Sequence, residues 1–159
     1  MRKLLRKHIG LWVAIMFTVI FLYPTLQNGL LYWDDYVYVT DNHLIRDLSI
    51  NGVEEMFKTS GVLSHYHPVT LISLSIDYQI GELNPFVYHT HNLLLHIVNL
   101  ILVYVLFLFL SKKRLIATIV TLLFCLHPMH IESVAWVSAR KDLVYSVFFF
   151  LSMILYQKR

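Results

Sequence analysis

Residues Asn92–Leu110 read NLLLHIVNLILVYVLFLFL, a run of 19 residues without a charged side chain. A helix that crosses the hydrocarbon core of a bilayer needs about 20 predominantly apolar residues. Only helices and closed barrels satisfy their backbone groups in lipid, and a barrel strand would alternate polar with apolar residues. The run therefore predicts a membrane-spanning helix.

The rest of the chain is also rich in apolar residues. Of its 159 residues, 57% are hydrophobic and only 14% are charged, whereas an ordinary soluble domain carries about 25% charged residues. Three further apolar stretches occur at Ile9–Leu26, Leu115–Ile131 and Leu143–Tyr156. We predict an all-α integral membrane protein, a single membrane domain with about four transmembrane helices.

The distribution of lysine and arginine predicts the orientation of these helices. Nine of the 13 basic residues lie before the first stretch, between the second and third, or after the fourth, and basic residues concentrate on the cytoplasmic side. All 10 acidic residues lie in the other connections, 27–91 and 127–142. We predict a cytoplasmic N-terminus with these connections as outer loops, in a bacterial cytoplasmic membrane or an endoplasmic reticulum membrane. No small-x-small cleavage site follows Ile9–Leu26, so this stretch is interpreted as an anchor.

The first outer loop is long enough to hold short helices on the membrane surface. Asn51 begins a sequence that resembles a capping box and predicts a helix at Gly52–Lys58. Pro68, typical of a first helical turn, predicts a second helix that runs to about Tyr78. The alternating apolar residues of Leu74–Ile80 also permit a strand there.

Two adjacent carboxylates, Asp34 and Asp35, follow the first apolar stretch. Burial raises the pKa of a carboxylate unless a cation or hydrogen bonds compensate. Such a pair can act as a general base, a metal ligand or a partner for a basic group. A solvated loop within an interfacial belt of tryptophan and tyrosine is the alternative, and the sequence leaves both interpretations open.

Four polar residues at the start of the second stretch share one helical face, because they are spaced by three, four and three: His89, Asn92, His96 and Asn99. Polar groups at membrane depth usually face a bundle interior or a wet cavity. We predict that this face contacts protein rather than lipid, either to hold helices together or as part of a site.

The segment from His127 to Arg140 contains an acid, an indole and a guanidinium. If it continues as one helix past Pro128, then Glu132, Trp136 and Arg140 align at i, i+4 and i+8. On one face they could bind a sugar ring and a phosphate. An interfacial helix with a Glu132–Arg140 salt bridge is the alternative.

Eight of the nine histidines fall on or near the outer side, but none of their spacings is diagnostic of zinc. A divalent cation therefore stays open as a cofactor. The single cysteine, Cys125, excludes a disulfide within the chain. The sequence has no glycine-rich phosphate loop, and we expect neither a nucleotide-binding domain nor a nucleic-acid partner.

Five motifs occur in a recognisable order: Tyr32–Asp35, Tyr66–Leu71, Tyr88–His96, Leu126–Trp136 and Ala139–Asp142. This series resembles the N-terminal membrane region of the transmembrane and tetratricopeptide-repeat O-mannosyltransferases and their bacterial relatives, which are C-type membrane glycosyltransferases. The resemblance covers about Leu30–Tyr156, and its most specific part is the run HPMHIESVAW.

The resemblance implies a polyprenyl or dolichyl phosphate sugar, typically mannose, as the donor. It implies a protein serine or threonine, or another hydroxyl, as the acceptor. Asp34 or Asp35 would be the general base, and charge and position favour Arg140 or Lys141 as the contact to the donor phosphate. The candidate residues for substrate or donor binding are Glu132, His130, Trp136, Arg140, Lys141, His67, His89 and His96.

The family has seven or more membrane helices followed by tetratricopeptide repeats, whereas this sequence supplies about four helices and no repeats. We interpret it as an N-terminal part of a larger or split transferase, with the remaining helices as partners. Two alternatives stay open. One is a non-catalytic membrane subunit that binds partners through its outer loop, and the other is a haem- or metal-binding bundle that uses His96 and other outer histidines.

Overall fold

The computed structural model of the protein describes residues 7–59, 62 and 65–157. Within these residues the fold is all-α, as predicted, and an isolated bridge between Val62 and His65 is the one β-type contact. Part of the predicted orientation depends on basic residues outside the described residues, namely Arg2, Lys3, Arg6, Lys158 and Arg159.

The described part contains seven α-helices, which are α1 Ile9–Leu22, α2 Ile50–Lys58, α3 Pro68–Gly81, α4 Pro85–Ser111, α5 Arg114–Cys125, α6 Met129–Ala135 and α7 Arg140–Gln157. Helix α1 is extended by a 3-10 turn at Tyr23–Gln27. A π-helical turn lies at Tyr36–Thr40, and 3-10 turns lie at Leu44–Arg46 and Val137–Ala139. Helix α4 is central, since it packs against α1, α3, α5, α6 and α7.

Two helical segments of the described residues are long and apolar enough to cross a membrane, Ile9–Gln27 and Pro85–Ser111. Helices α5 and α6 would form a third span if the bent pair crosses as one unit. The chain is therefore a membrane protein, with two or three candidate spans where the sequence predicts four. The fourth predicted stretch does form a helix, α7, but its first turn carries Arg140, Lys141 and Asp142.

The predicted loop helices are both present, with shifted ends. Helix α2 begins at Ile50, because the Ser49 hydroxyl accepts a hydrogen bond from the Gly52 amide at 3.3 Å and caps the helix. The predicted cap, Asn51, therefore lies inside the helix. Helix α3 continues to Gly81, so the strand that Leu74–Ile80 permitted is not formed. The position of these helices relative to the membrane surface stays a prediction.

The expectation of one helix from Glu132 to Arg140 is wrong. Helices α5 and α6 meet at a bend of 63°, next to Pro128, which lacks the backbone N–H that a continuous helix needs. Trp136 then adopts extended backbone angles, with φ −111° and ψ 122°. Arg140 starts a separate helix and does not share a helical face with Glu132.

The interior has two parts, one around the first long loop and a membrane part among the candidate membrane helices. The first part joins that loop to α3 and α4 through buried residues that include Tyr38, Met56, Leu74 and Tyr88. In the membrane part, α1 and α5 approach closely where Gly10 lies against the Thr118 side chain. A small residue at such a crossing lets two backbones come together in lipid, where dispersion and hydrogen bonds drive helix association.

Candidate functional site

Asp35 is completely buried and joins the first outer loop to the start of α7. Its Oδ1 atom accepts hydrogen bonds from the Ser138 amide at 2.8 Å and the Ser138 hydroxyl at 2.5 Å. Its Oδ2 atom accepts one from the Leu31 amide at 3.0 Å. Three donors compensate for the cost of burying a carboxylate, so Asp35 holds two distant segments in place.

Asp34 has a different environment from its neighbour. Its side chain is half-buried, and its carboxylate has no hydrogen bond or ion pair with any residue that the structure describes. Its negative charge contributes, after burial, to raising the pKa of the Tyr38 phenol. Of the two predicted catalytic carboxylates, Asp34 is therefore the one without a hydrogen-bond partner among the described residues.

Arg140 is fully buried and makes all of its contacts inward. Its guanidinium pairs with Asp77 at 2.5 Å, and its Nε donates to the side chain of Asn92 at 2.7 Å. Further N–H groups donate to the carbonyls of Ser73 at 3.1 Å and Tyr88 at 2.9 Å. The alternative salt bridge with Glu132 is thus wrong, because the carboxylate partner of Arg140 is Asp77. A donor-phosphate contact by Arg140 stays a prediction.

The polar stripe on α4 faces protein, as predicted. Its members are all at least 99% buried: His89, Asn92, His96 and Asn99. Asn92 donates to the carbonyls of Val134 at 3.3 Å and Trp136 at 3.1 Å. Asn99 donates to the carbonyl of Leu143 at 3.0 Å. The two asparagines therefore fasten α4 to α6 and α7.

A cavity of about 270 Å³ lies between the first turn of α3 and the N-terminal half of α7. Two of the predicted donor-binding residues, His67 and Lys141, line it together with Tyr66 and Tyr145. An ammonium group beside aromatic rings suits an anionic group attached to a sugar. The structure thus brings together a cation and an imidazole that are 74 residues apart by their numbers.

Burial lowers the pKa of the His67 imidazole below its ordinary value, and the positive charges of Lys141 and His65 lower it further. Asp142 opposes this change. The Nε2 atom of His67 is buried and has no hydrogen-bond partner among the residues that the structure describes. A neutral imidazole with an unused nitrogen is suited to hydrogen bonding with a ligand hydroxyl.

The segment Ser138–Lys141 connects these features. Ser138 binds Asp35, Arg140 is anchored in the interior, and Lys141 lines the His67 cavity. His89 is buried within electrostatic reach of both Asp35 and Arg140.

The remaining candidates lie elsewhere. The His130 ring packs on Phe124 with centroids 4.2 Å apart and on His96 at 5.6 Å. Glu132 is exposed on α6, and Trp136 is half-buried with an indole N–H that has no partner in the described part of the chain. The roles of His130, Glu132 and Trp136 stay predictions.

Sequence reasoning missed three residues that organise the region, Ser138, Asp77 and His91. Ser138 gave no signal, since a lone serine in a short turn is ordinary. Asp77 is the one charged residue between Pro68 and Gly81, and a lone carboxylate in an apolar helix indicates a buried partner. His91 was grouped with the other histidines, although it is paired with Asp77 at 2.6 Å.

The described residues include no group of three or more histidine, cysteine, aspartate or glutamate side chains placed to hold a metal ion. The haem- or metal-binding interpretation therefore gains no support from the structure.

This chain is similar to several proteins that are named as protein O-mannosyl-transferases. It is 36% identical over 94 residues to protein O-mannosyl-transferase TMTC3 of Homo sapiens, and 34% identical over 94 residues to TMTC1 of Mus musculus. It is 35% identical over 105 residues to TMTC2 of Homo sapiens. These matches confirm the resemblance to the transmembrane and tetratricopeptide-repeat O-mannosyltransferases.

The matched regions cover 58% to 62% of this chain but only 10% to 12% of the relatives' length. No protein-family model matches the chain, and no solved structure matches it.

Proposed function

We propose that this chain forms the outer catalytic face of a membrane glycosyltransferase that moves mannose from a polyprenyl or dolichyl phosphate to a protein hydroxyl. The observation that carries the proposal is the segment Ser138–Lys141, which binds Asp35, the neighbour of Asp34, through Ser138 and lines the His67 cavity through Lys141. The similar proteins are O-mannosyl-transferases by name. The same chemistry suits another hydroxyl acceptor and another hexose.

Asp34 is the general base in this proposal, and Asp35 positions it. Asp34 is half-buried and unpaired among the described residues, whereas three hydrogen bonds occupy Asp35. Asp34 takes the proton of the acceptor hydroxyl as the oxygen attacks the anomeric carbon. The bond from that carbon to the phosphate oxygen breaks, and the lipid phosphate leaves with the electron pair. A single displacement inverts the anomeric centre.

Lys141 meets the donor phosphate in the cavity between α3 and α7. The cavity is also lined by Val69 and Thr70, in the first turn of α3, where the helix presents free backbone N–H groups and the positive end of its dipole. His67 contributes its buried Nε2 atom to a sugar hydroxyl. Tyr66 and Tyr145 supply the apolar walls.

The topology that fits this function has four spans and a cytoplasmic N-terminus. In it, α7 is the fourth span, and its charged first turn lies at the outer surface where Lys141 meets the lipid-linked donor. The charges of Arg140 and Asp77 neutralise each other inside the protein, so that turn does not place an unpaired charge in lipid. The bent pair α5 and α6 forms the third span.

The test is donor binding and sugar transfer by the membrane-reconstituted chain, with polyprenyl phosphate mannose as donor and a serine-rich peptide as acceptor. We expect Lys141→Gln to weaken donor binding about tenfold, the loss of one charge-assisted contact of about 1.5 kcal/mol. Lys58→Gln is the matched control, because Lys58 is an exposed lysine that forms an ion pair with Glu54 at the surface. Absence of donor binding by the unchanged chain would contradict the proposal.

A partner-binding subunit without catalysis is the second candidate. It is favoured by the exposure of Tyr32 and Trp33, which are 89% and 77% exposed beside the aspartate pair. Exposed aromatic residues are enriched at protein interfaces and at the membrane surface. Donor binding without any transfer, in the presence of the acceptor peptide, would favour this candidate.

A further inference from the structure

A second cavity, of about 370 Å³, lies between α3 and α4 and shares no residue with the His67 cavity. Its volume falls in the range of small-molecule sites, roughly 300–1,000 Å³. The walls are apolar and open to the outside: Ile76, Ile80, Phe86 and Leu94 are 40%, 70%, 54% and 55% exposed. Two of these wall residues, Phe86 and Leu94, lie on α4, which is a candidate membrane span.

The polar floor of this groove is a histidine that is held by a carboxylate. The Nδ1 atom of His91 lies 2.6 Å from Oδ1 of Asp77, and the other Asp77 oxygen lies 2.5 Å from the Arg140 guanidinium. Asp77 is 98% buried at its side chain, whereas the His91 side chain is 28% exposed and lines the groove. The Asp77 carboxylate therefore orients the His91 imidazole from inside the protein. The opposite edge of the imidazole lines the groove.

The pairing decides what the groove can recognise. A carboxylate oxygen only accepts hydrogen bonds, so the proton of a neutral His91 ring resides on Nδ1 and Nε2 is left as an acceptor. Nε2 has no hydrogen-bond partner among the residues that the structure describes. Arg140 is already paired with Asp77, so it does not attract an anion. A ligand that fits this site has an apolar chain and one O–H group that donates a hydrogen bond.

We propose that the groove between α3 and α4 binds a membrane lipid with a free hydroxyl, such as a long-chain alcohol or a diacylglycerol. The hydroxyl donates to Nε2 of His91, and the chain lies against Ile76, Ile80, Phe86 and Leu94. A lipid, rather than an apolar peptide with a serine hydroxyl, is the occupant because Phe86 and Leu94 are exposed on a helix long and apolar enough to cross a membrane. The site does not depend on sugar transfer, since its residues are separate from Asp34 and the Lys141 cavity.

The test uses the full chain in lipid nanodiscs with a photoactivatable hexadecanol and the same probe as its methyl ether. We expect saturable labelling of peptides from α3 and α4 that unlabelled hexadecanol displaces. The ether should label with a half-saturating concentration about fivefold higher, the effect of losing one net hydrogen bond. His91→Phe keeps a ring in the groove but removes Nε2, and it should abolish the preference for the alcohol over the ether.

Ile80→Trp provides a second measurement that leaves the Asp77–His91 pair in place. It fills the groove and should lower labelling by hexadecanol at least fivefold, the same order as one lost contact. Leu115→Trp, at a residue of α5 that is similarly exposed at 71%, is the matched control and should label like the unchanged chain. Equal labelling by the alcohol and the ether, or unchanged labelling of Ile80→Trp, would overturn the proposal. Displacement by a serine-containing apolar peptide but not by hexadecanol would assign the groove to a peptide instead.

Discussion

Asp35 and Ser138 lie 103 residues apart in the chain, and two hydrogen bonds join them in the interior. One carboxylate oxygen of Asp35 accepts both the amide and the hydroxyl hydrogen of Ser138, at 2.8 and 2.5 Å. The contact connects the segment after the first membrane helix to the segment before the last helix. The geometry of the outer face therefore depends on this pair.

Ser138→Ala tests that dependence. It removes the hydroxyl bond to a buried carboxylate and leaves the amide bond, so we expect the free energy of unfolding to fall by about 2 kcal/mol. Denaturant unfolding in micelles measures it. Ser152→Ala is the control, because the exposed Ser152 hydroxyl donates to the Phe149 carbonyl of its own helix, and its effect should stay within about 0.5 kcal/mol. Equal effects of the two variants would contradict a special role for Ser138.

Asp77→Asn should destabilise the fold far more. It leaves the fully buried Arg140 guanidinium without its carboxylate, and breaking a buried ion pair costs about 3–5 kcal/mol. Glu54→Gln removes an ion pair with Lys58 that is exposed to solvent, and such a pair is worth about 1 kcal/mol at most. The unfolding midpoints of Asp77→Asn and Glu54→Gln show whether the Asp77–Arg140 pair stabilises the fold. Similar midpoints for the two variants would show that it does not.

Asp34→Asn should separate catalysis from folding. In a preparation that transfers sugar, we expect the turnover to fall about 10²–10⁴-fold, the usual contribution of a general base, with unchanged expression and unfolding midpoint. Asp35→Asn should lower both turnover and stability, because Asp35 is buried and bonded to Ser138. Asp41→Asn, an exposed carboxylate of the same loop, should change neither. Loss of stability with Asp34→Asn would indicate a structural role for that residue.

The stability of the protein should decline at acidic pH partly through His67. Because the pKa of His67 is lowered in the fold, the unfolded chain binds the proton first, and stability is lost as pH falls from about 6.5 through the lower folded pKa. His67→Gln should therefore lose less stability than the unchanged chain between about pH 7.5 and pH 5. His43→Gln, exposed in the first loop, should follow the unchanged chain. Parallel curves for all three proteins would rule out a contribution from His67.

The orientation can be measured with single cysteines in a Cys125→Ser background. Ser49→Cys, exposed at the start of α2, should react with a membrane-impermeant maleimide added from outside. Ser111→Cys, at the end of α4, should react only after the membrane is permeabilised. The opposite pattern would reverse the predicted topology, which follows from the distribution of basic residues.

The helices were predictable because their signals are local. The apolar stretches, Pro68 at the start of α3 and the spacing of the α4 polar stripe each depend on residues within one or two turns. The errors concern the residues at which helices begin and end. Ser49 rather than Asn51 caps α2, and the chain turns at Trp136, so Glu132 and Arg140 do not share a helix.

The sequence by itself determined that the chain is an α-helical membrane protein, that one face of α4 contacts protein, and which family it resembles. These properties follow from hydrophobicity, helical periodicity and the order of short motifs. Only the tertiary structure decided that Asp35 is an anchor while Asp34 has no partner among the described residues. It also decided that Arg140 pairs with Asp77 while Lys141 lines one cavity with His67. The physical reason is that a charged group is buried only where a hydrogen-bond or ion-pair partner compensates for its lost hydration. Such a partner can lie as far as 103 residues away in the chain.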